Sequence, residues 1–297
     1  MFQIHRKQNK VNVFQEDSQL AEIGLIGAVL NQWSPLGENL IDGYQDLDKA
    51  DFNHARSGWL FPFPNRLEDG KYMFDDSLYH FPINEPANNN AIHGFLLAEP
   101  FQLYKTYNVS HKCILGFKYK YAGSHSYYPF SFDFRIDYHF TEGQLTIELS
   151  IENIGRSPMP FAIGWHPYFQ LQCPLEDHYI SLPEAELIEL NERSLPTGKQ
   201  LPYDFAHKAV LVGDRHYDDC FKFEAEDNKV VLSTDTKSLS MVMSKDWGYF
   251  QVFTPDERTS VALEPMTGTI NCLNNKQGIV ELDPGKKFQT SFVIKAS

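Results

Sequence analysis

Two short stretches each set an ionisable side chain in an apolar run, directly before a proline. The first is FAIGWHPYF, Phe161 to Phe169, with His166 followed by Pro167. The second is VALEPMTG, Val261 to Gly268, with Glu264 followed by Pro265. A proline pushes the residue before it into an extended backbone, so Pro167 restricts His166 and helps fix where its imidazole points. A carboxylate in an apolar strand is costly unless it is paired or used. For His166 alone, the plain reading is a core histidine with one hydrogen-bond partner. Two acid–base residues locked in the same way form a pattern that a random core seldom produces. One carboxylate and one imidazole suit proton transfer, in which one group accepts a proton while the other donates one.

Two further segments place polar groups beside rigid or permissive backbone. In FPFPNRLEDGKY, Phe61 to Tyr72, Pro62 and Pro64 stiffen the chain before Asn65 and Arg66. Taken alone, this segment reads as an ordinary loop with an exposed arginine. In NNNAIHGF, Asn88 to Phe95, Gly94 follows His93 and permits close approach of backbone to a ligand. A turn with a structural histidine accounts for that segment equally well. The histidines lack metal-ligand spacing and no cysteine cluster accompanies them, so no metal is expected. There is no Gly-x-Ser-x-Gly elbow for acyl transfer. Neither a P-loop nor a dinucleotide fingerprint is present, and no cofactor is expected.

The elements that must carry these residues are strands. Between Phe130 and Phe140, six apolar residues alternate strictly with Ser131, Asp133, Arg135, Asp137 and His139. Thr141-Glu142-Gly143 is a turn signal, and the run that follows, from Gln144 to Asn153, alternates again, so the two read as a β-hairpin. His139 falls on the polar side and is expected to be solvated. The same grammar recurs at 102–109, 114–121, 229–233, 239–243, 249–254, 260–263 and 288–294. Residues 18–30 contain Gly24 and Gly27 and read as a strand pair rather than a helix. No repeat, low-complexity tract or linker interrupts the chain. The expected architecture is all-β: one large antiparallel domain of packed sheets spanning residues 1–297.

Composition narrows the partners. The chain has 26 basic and 39 acidic residues, a net charge of −13, which argues against nucleic acid and anionic membranes. Aromatic residues make up 14%, enough to fill a large core and leave rings for a carbohydrate face. The N-terminal MFQIHRKQNK is unlike a secretory signal, and no run has the length of a membrane span. Four cysteines scattered singly read as buried free thiols, and the expected location is the cytoplasm.

Four motifs in order, LFPFPNRLEDGKY, FPINEPANNNAIHGF, IGWHPYF and LEPMTGTINCLN, are similar to those of the aldose 1-epimerases, or galactose mutarotases. The closer likeness is to bacterial members with a Gly-x-His-Pro-Tyr-Phe motif, and it covers most of the chain. The resemblance implies a large antiparallel β-sandwich with an open sugar-binding face. It implies that Glu264 is the general base toward the anomeric hydroxyl and His166 the general acid toward the ring oxygen. It implies that His93 is a second histidine near the ring oxygen, sharing the acid role, and that Arg66 of the Asn65-Arg66 pair contacts sugar hydroxyls. A substrate-binding aspartate belongs in HYDDCF; its spacing to Phe221 favours Asp218, with Asp219 a close second. Trp165 either packs in the core or faces the sugar, and core packing is the simpler reading. The sequence around Glu264 departs from that of the better-known sugar mutarotases, so hydroxyl specificity does not transfer.

The leading expectation is therefore a mutarotase acting on a free aldose. Two alternatives use the same scaffold: a hexose 6-phosphate 1-epimerase and a non-catalytic carbohydrate-binding protein. Pure binding needs no acid–base pair. The hexose-phosphate branch carries a further arginine after its His-Gly motif, where this chain has Leu96-Leu97. A glycoside hydrolase generally needs two carboxylates flanking the bond, and only one stands in a convincing setting here.

Overall fold

A computed structural model describes residues 1–52, 54–224 and 228–297. Two large antiparallel sheets dominate. The larger has nine strands, and the alternating hairpin supplies two of its interior ones. The strand expected over Phe130–Phe140 runs from Phe132 to Thr141, and its partner covers Gln144–Asn153. Along the first of these, buried and part-exposed residues alternate without a break. The buried set forms the inner face of the sheet. The strand Lys287–Ala296 continues the sheet beside Gln144–Asn153.

The second sheet carries the chemistry. Its central strands are Asp218–Phe223, Tyr249–Phe253, Val261–Met266 and Gly164–His166, in that spatial order, with Gly58–Leu60 at one edge. Its inner face meets the larger sheet through aromatic rings. Trp59 and Trp165 stack at 5.7 Å between centroids. Trp165 also lies against Phe292 at 5.4 Å, and Trp59 Nε1 donates to Tyr138 Oη at 3.0 Å. Trp165 is thus a core residue, fully buried. Because successive strand residues point to opposite faces, Trp165 pointing inward turns His166 outward.

Residues 18–30 contain one strand, Ser18–Gly24, and the start of its partner, Leu30–Trp33, in a four-stranded sheet at the N-terminal side. Cys113, Cys220 and Cys272 are buried thiols, Cys173 is part-exposed, and none forms a disulfide. Among the described residues no helix is long and apolar enough to cross a membrane. His139 departs from expectation. Its side chain is largely buried, with Nε2 3.4 Å from Glu148 Oε2. The polar face of this hairpin is covered by long side chains from neighbouring strands, among them Lys105 bonded to Asp137.

Candidate active site

Register brings the histidine and the glutamate together. Gly164 pairs with Met266, and Tyr168 with Ala262, on either side of a gap. Counting inward from both ends sets His166 opposite Glu264. Cross-strand neighbours on one face lie close enough for their side chains to meet. Here His166 Nε2 is 3.3 Å from Glu264 Oε1. The gap has a cause in the sequence. Leu263 N donates to Pro167 O and Thr267 N to Ile163 O across this seam. By alternation, Pro265 and Pro167 face the same seam, and each lacks a donor for it. The ladder is therefore interrupted beside the two ionisable residues. The alternation read from sequence ends this strand at 263, which would leave Glu264 just past its end. Glu264 instead lies inside the strand, because pairing with Tyr249–Phe253 continues unbroken to Met266 on the other side.

The same face gathers the remaining groups. Gln251 is the cross-strand partner of Glu264 on its other side, and Cys220 is in turn the partner of Gln251. Asp218, two residues from Cys220, shares that face. Asp219 points to the other one. Asp218 lines the cavity with His166, Glu264, His93, Asn65 and Arg66, and Asp219 does not. All six site residues expected from sequence thus border one cavity of about 180 Å³. That is smaller than the roughly 300–1,000 Å³ typical of clefts for drug-sized ligands.

Asn65 and His93 come from separate loops that lock each other. Both have left-handed backbone, with φ of 55° and 66°. Asn and His are among the side chains that tolerate this region best. His93 N donates to Asn65 O at 2.9 Å, and Asn65 N donates to His93 Nδ1 at 3.2 Å. Nδ1 is therefore an acceptor, which places the proton of the neutral ring on Nε2. The His93 ring stands edge-on to His166 at 5.3 Å. Gly94 follows because a Cβ there would lie 2.1 Å from Phe61 O.

An aldose 1-epimerase family model matches residues 11–295. The chain belongs to that family. It is 26% identical over 243 residues to the uncharacterized protein YihR of Escherichia coli K12, covering 79% of this chain and 77% of YihR. Among solved structures it is similar to a galactose mutarotase-like protein from Clostridium acetobutylicum, at a TM-score of 0.89 and 20% identity, over 100% of this chain and 98% of that one. It is also similar to a galactose 1-epimerase from Lactobacillus acidophilus NCFM, at a TM-score of 0.85 and 15% identity, again over 100% and 98%. These likenesses establish the galactose mutarotase-type fold.

Electrostatics within this candidate site follow from burial. Desolvation raises the Glu264 carboxyl well above the usual carboxylate range, and Asp218 adds to the rise while Arg66 opposes it. Desolvation lowers His166 to about 3, helped by Arg56. His93 is also pushed well down, first by desolvation and then by its neighbour His166. Burial thus favours the neutral form of each group, and the His166–Glu264 pair holds one proton between them. Glu264 Oε2 makes no hydrogen bond among the described residues.

Three supporting residues were not singled out from sequence. Gln251 is buried and bridges two others: its Nε2 donates to Asp218 Oδ1 at 2.7 Å and its Oε1 accepts from Asn65 Nδ2 at 3.4 Å. Its signal was present, as a lone amide in the apolar run YFQVF. Tyr168 stacks on His166 at 4.9 Å, and the Arg56 guanidinium lies over the Tyr168 ring, also at 4.9 Å. Arg56 is held in turn by Asp42 at 2.6 Å. The Leu96–Ala98 turn that follows His93 and Gly94 is one turn of 3₁₀ helix with Leu96 fully buried.

Proposed function

We propose that this protein is an aldose 1-epimerase that interconverts the α and β anomers of a free, unphosphorylated aldose such as glucose or galactose. The observation that carries this reading is the buried His166–Glu264 pair, 3.3 Å apart on the wall of a cavity suited to a single sugar ring. In the reacting form the one proton of the pair has passed across the 3.3 Å gap to His166, leaving Glu264 ionised. Glu264 takes the proton of the anomeric hydroxyl as His166 gives one to the ring oxygen. The C1–O5 bond breaks and C1 becomes an aldehyde. Rotation about C1–C2 presents the other carbonyl face. On closure His166 recovers the proton from the C5 hydroxyl and Glu264 returns one to the carbonyl oxygen. The number of protons on the pair is unchanged at every stage. A base whose pKa is raised by burial holds the proton it takes more firmly, which suits this exchange.

His93, with Nε2–H available, donates near the ring oxygen and shares the acid role. Arg66, Asn65 and Asp218 bind hydroxyls, and Gln251 keeps Asp218 and Asn65 in register. The charge balance supports a neutral substrate. Arg66 is the one Lys or Arg among the described residues bordering the cavity. Its guanidinium is already bonded to Glu85 and lies 4.0 Å from Asp218. A phosphate site commonly uses two or more such groups, or a helix N-terminus.

Polarimetry or NMR of freshly dissolved α-glucose and α-galactose tests the reading. Accelerated approach to anomeric equilibrium is expected, with a higher kcat/KM for the free sugar than for its 6-phosphate at one ionic strength. No acceleration of any free aldose, or faster turnover of the phosphate ester, would sink it.

A further inference from the structure

Behind the cavity, a chain of polar contacts runs outward from Arg66 to the tip of a distant hairpin. The Glu85 carboxylate receives Arg66 Nε on both oxygens, at 2.9 and 3.1 Å. Asn88 Nδ2 donates to Oε1 at 3.3 Å, and Asn90 Nδ2 to Oε2 at 3.0 Å. Glu85 sits at the neck of a closed six-residue loop. Its N donates to Asn90 O at 3.0 Å, and Asn90 N donates back to Glu85 O at 3.1 Å. The carboxylate is thus oriented by its own loop before it meets Arg66. The guanidinium held in this way keeps Nη1 toward the site, 3.4 Å from Asn65 Oδ1 and 4.0 Å from Asp218 Oδ2.

The loop is tied down from outside by Arg193. That residue lies in the turn between the strands Ala185–Leu190 and Pro196–Pro202. Its Nε donates to Asn88 O at 3.0 Å. Its Nη2 reaches Asp69 Oδ1 at 2.7 Å, Asn89 O at 3.2 Å and Asn90 Oδ1 at 3.3 Å. Asn90 Nδ2 donates in return to Arg193 O at 3.2 Å. The planar fork of an arginine suits this several-point grip, which a lysine cannot reproduce.

We infer that Glu85 is a positioning residue, which holds the Arg66 guanidinium in its sugar-binding orientation, and that Arg193 is the strap fixing the Glu85 loop. The inference rests on the mutarotase reading for what Arg66 binds, but the orientation itself has an independent readout. Long side chains lose considerable rotamer freedom on binding, so pre-orienting Arg66 in the free protein spares that cost. Neither Glu85 nor Arg193 belongs to the proton-transfer pair, so their loss should appear in sugar affinity more than in turnover.

The informative variant is Glu85→Gln. It keeps the size of the side chain and removes the charge. It also sets an amide donor against the Asn88 or Asn90 donor, whichever way the group is turned. The first measurement is the ¹H–¹⁵N resonance of Arg66 Nε–H, assigned by its loss in Arg66→Lys. The expected result is a downfield, slowly exchanging signal in the parent protein. In Glu85→Gln it should move upfield and exchange faster, with an intermediate change in Arg193→Ala. A signal indifferent to Glu85→Gln overturns the inference, whatever the protein does with sugar.

The second measurement is a kinetic cycle on glucose or galactose. KM should rise about 10–100-fold in Glu85→Gln, the range for losing a charge-assisted hydrogen bond, and kcat should fall far less. In an Arg66→Met background, Glu85→Gln should change KM little further, because the partner through which it acts is gone. Effects that multiply independently would show that Glu85 serves the fold and not Arg66, and the inference would fall. If the parent protein accelerates no anomer exchange, the functional reading fails, and the resonance still decides the positioning role.

Discussion

Glu264→Gln separates catalysis from folding with the least structural change. The two side chains have nearly the same volume, so no cavity opens in a strand buried at every position. Among the described residues, the carboxylate is within 4 Å of one titratable partner, His166 Nε2, at 3.3 Å. A glutamine can preserve that acceptor through Oε1 but cannot take up a proton. Losing the general base should slow anomer exchange by about 10²–10⁴-fold, or roughly 3–5 kcal/mol of activation free energy. Stability should move in the opposite direction, and the sign follows from linkage. The folded-state pKa of Glu264 is raised above its unfolded value by burial. Folding then takes up a proton wherever the unfolded carboxylate is ionised, so the wild type loses stability as pH rises from the ordinary carboxylate range through the raised value. Glutamine carries no such penalty. The melting temperature of Glu264→Gln relative to wild type should therefore climb with pH and stay higher at neutrality. Polarimetry of α-glucose gives the rate, and thermal melts from pH 4 to pH 8 give the stability. A folded variant with near-normal turnover would remove Glu264 from the mechanism. A difference in melting temperature that does not change with pH would refute the raised carboxyl.

The remaining expectations concern the same pair and the core behind it. Turnover should be level across the window in which the His166–Glu264 pair holds one proton. It should fall on the acid side as the pair gains a second, with His166 lowered to about 3, and on the alkaline side as the raised Glu264 loses the first; a pH–rate profile whose acid limb follows an ordinary histidine near 6.5 would contradict this. His166→Asn should lose more kcat than His93→Asn, since His166 faces Glu264 directly while His93 spends Nδ1 on Asn65; the reverse order at saturating sugar would hand the acid role to His93. Trp165→Ala should cost about 3–5 kcal/mol in urea unfolding, because the indole is fully buried against Trp59 and Phe292; a loss below 1 kcal/mol would mean that the sheets close over the gap.

Much of this protein was legible in one dimension, because strand periodicity and proline chemistry are local. The alternation from Phe132 to Thr141 marks which face is buried before any partner strand is known. A titratable residue before a proline in an apolar run, at His166 and at Glu264, marked both members of the pair. Residue types and spacing could not supply the register. His166 and Glu264 are about a hundred residues apart, and a one-residue slip would turn Glu264 away from His166. Tertiary pairing also set Asp218 rather than Asp219 on the cavity wall, since adjacent strand residues face opposite sides and only the sheet decides which side holds the cavity. It recruited Gln251 and Glu85, whose importance lies wholly in what they touch. It also buried His139, which alternation had assigned to solvent, because coverage by neighbouring side chains is a property of the assembled surface. Local patterning reports what a residue can do, whereas long-range packing settles which groups stand within 3–4 Å of one another, and proton transfer depends on that distance.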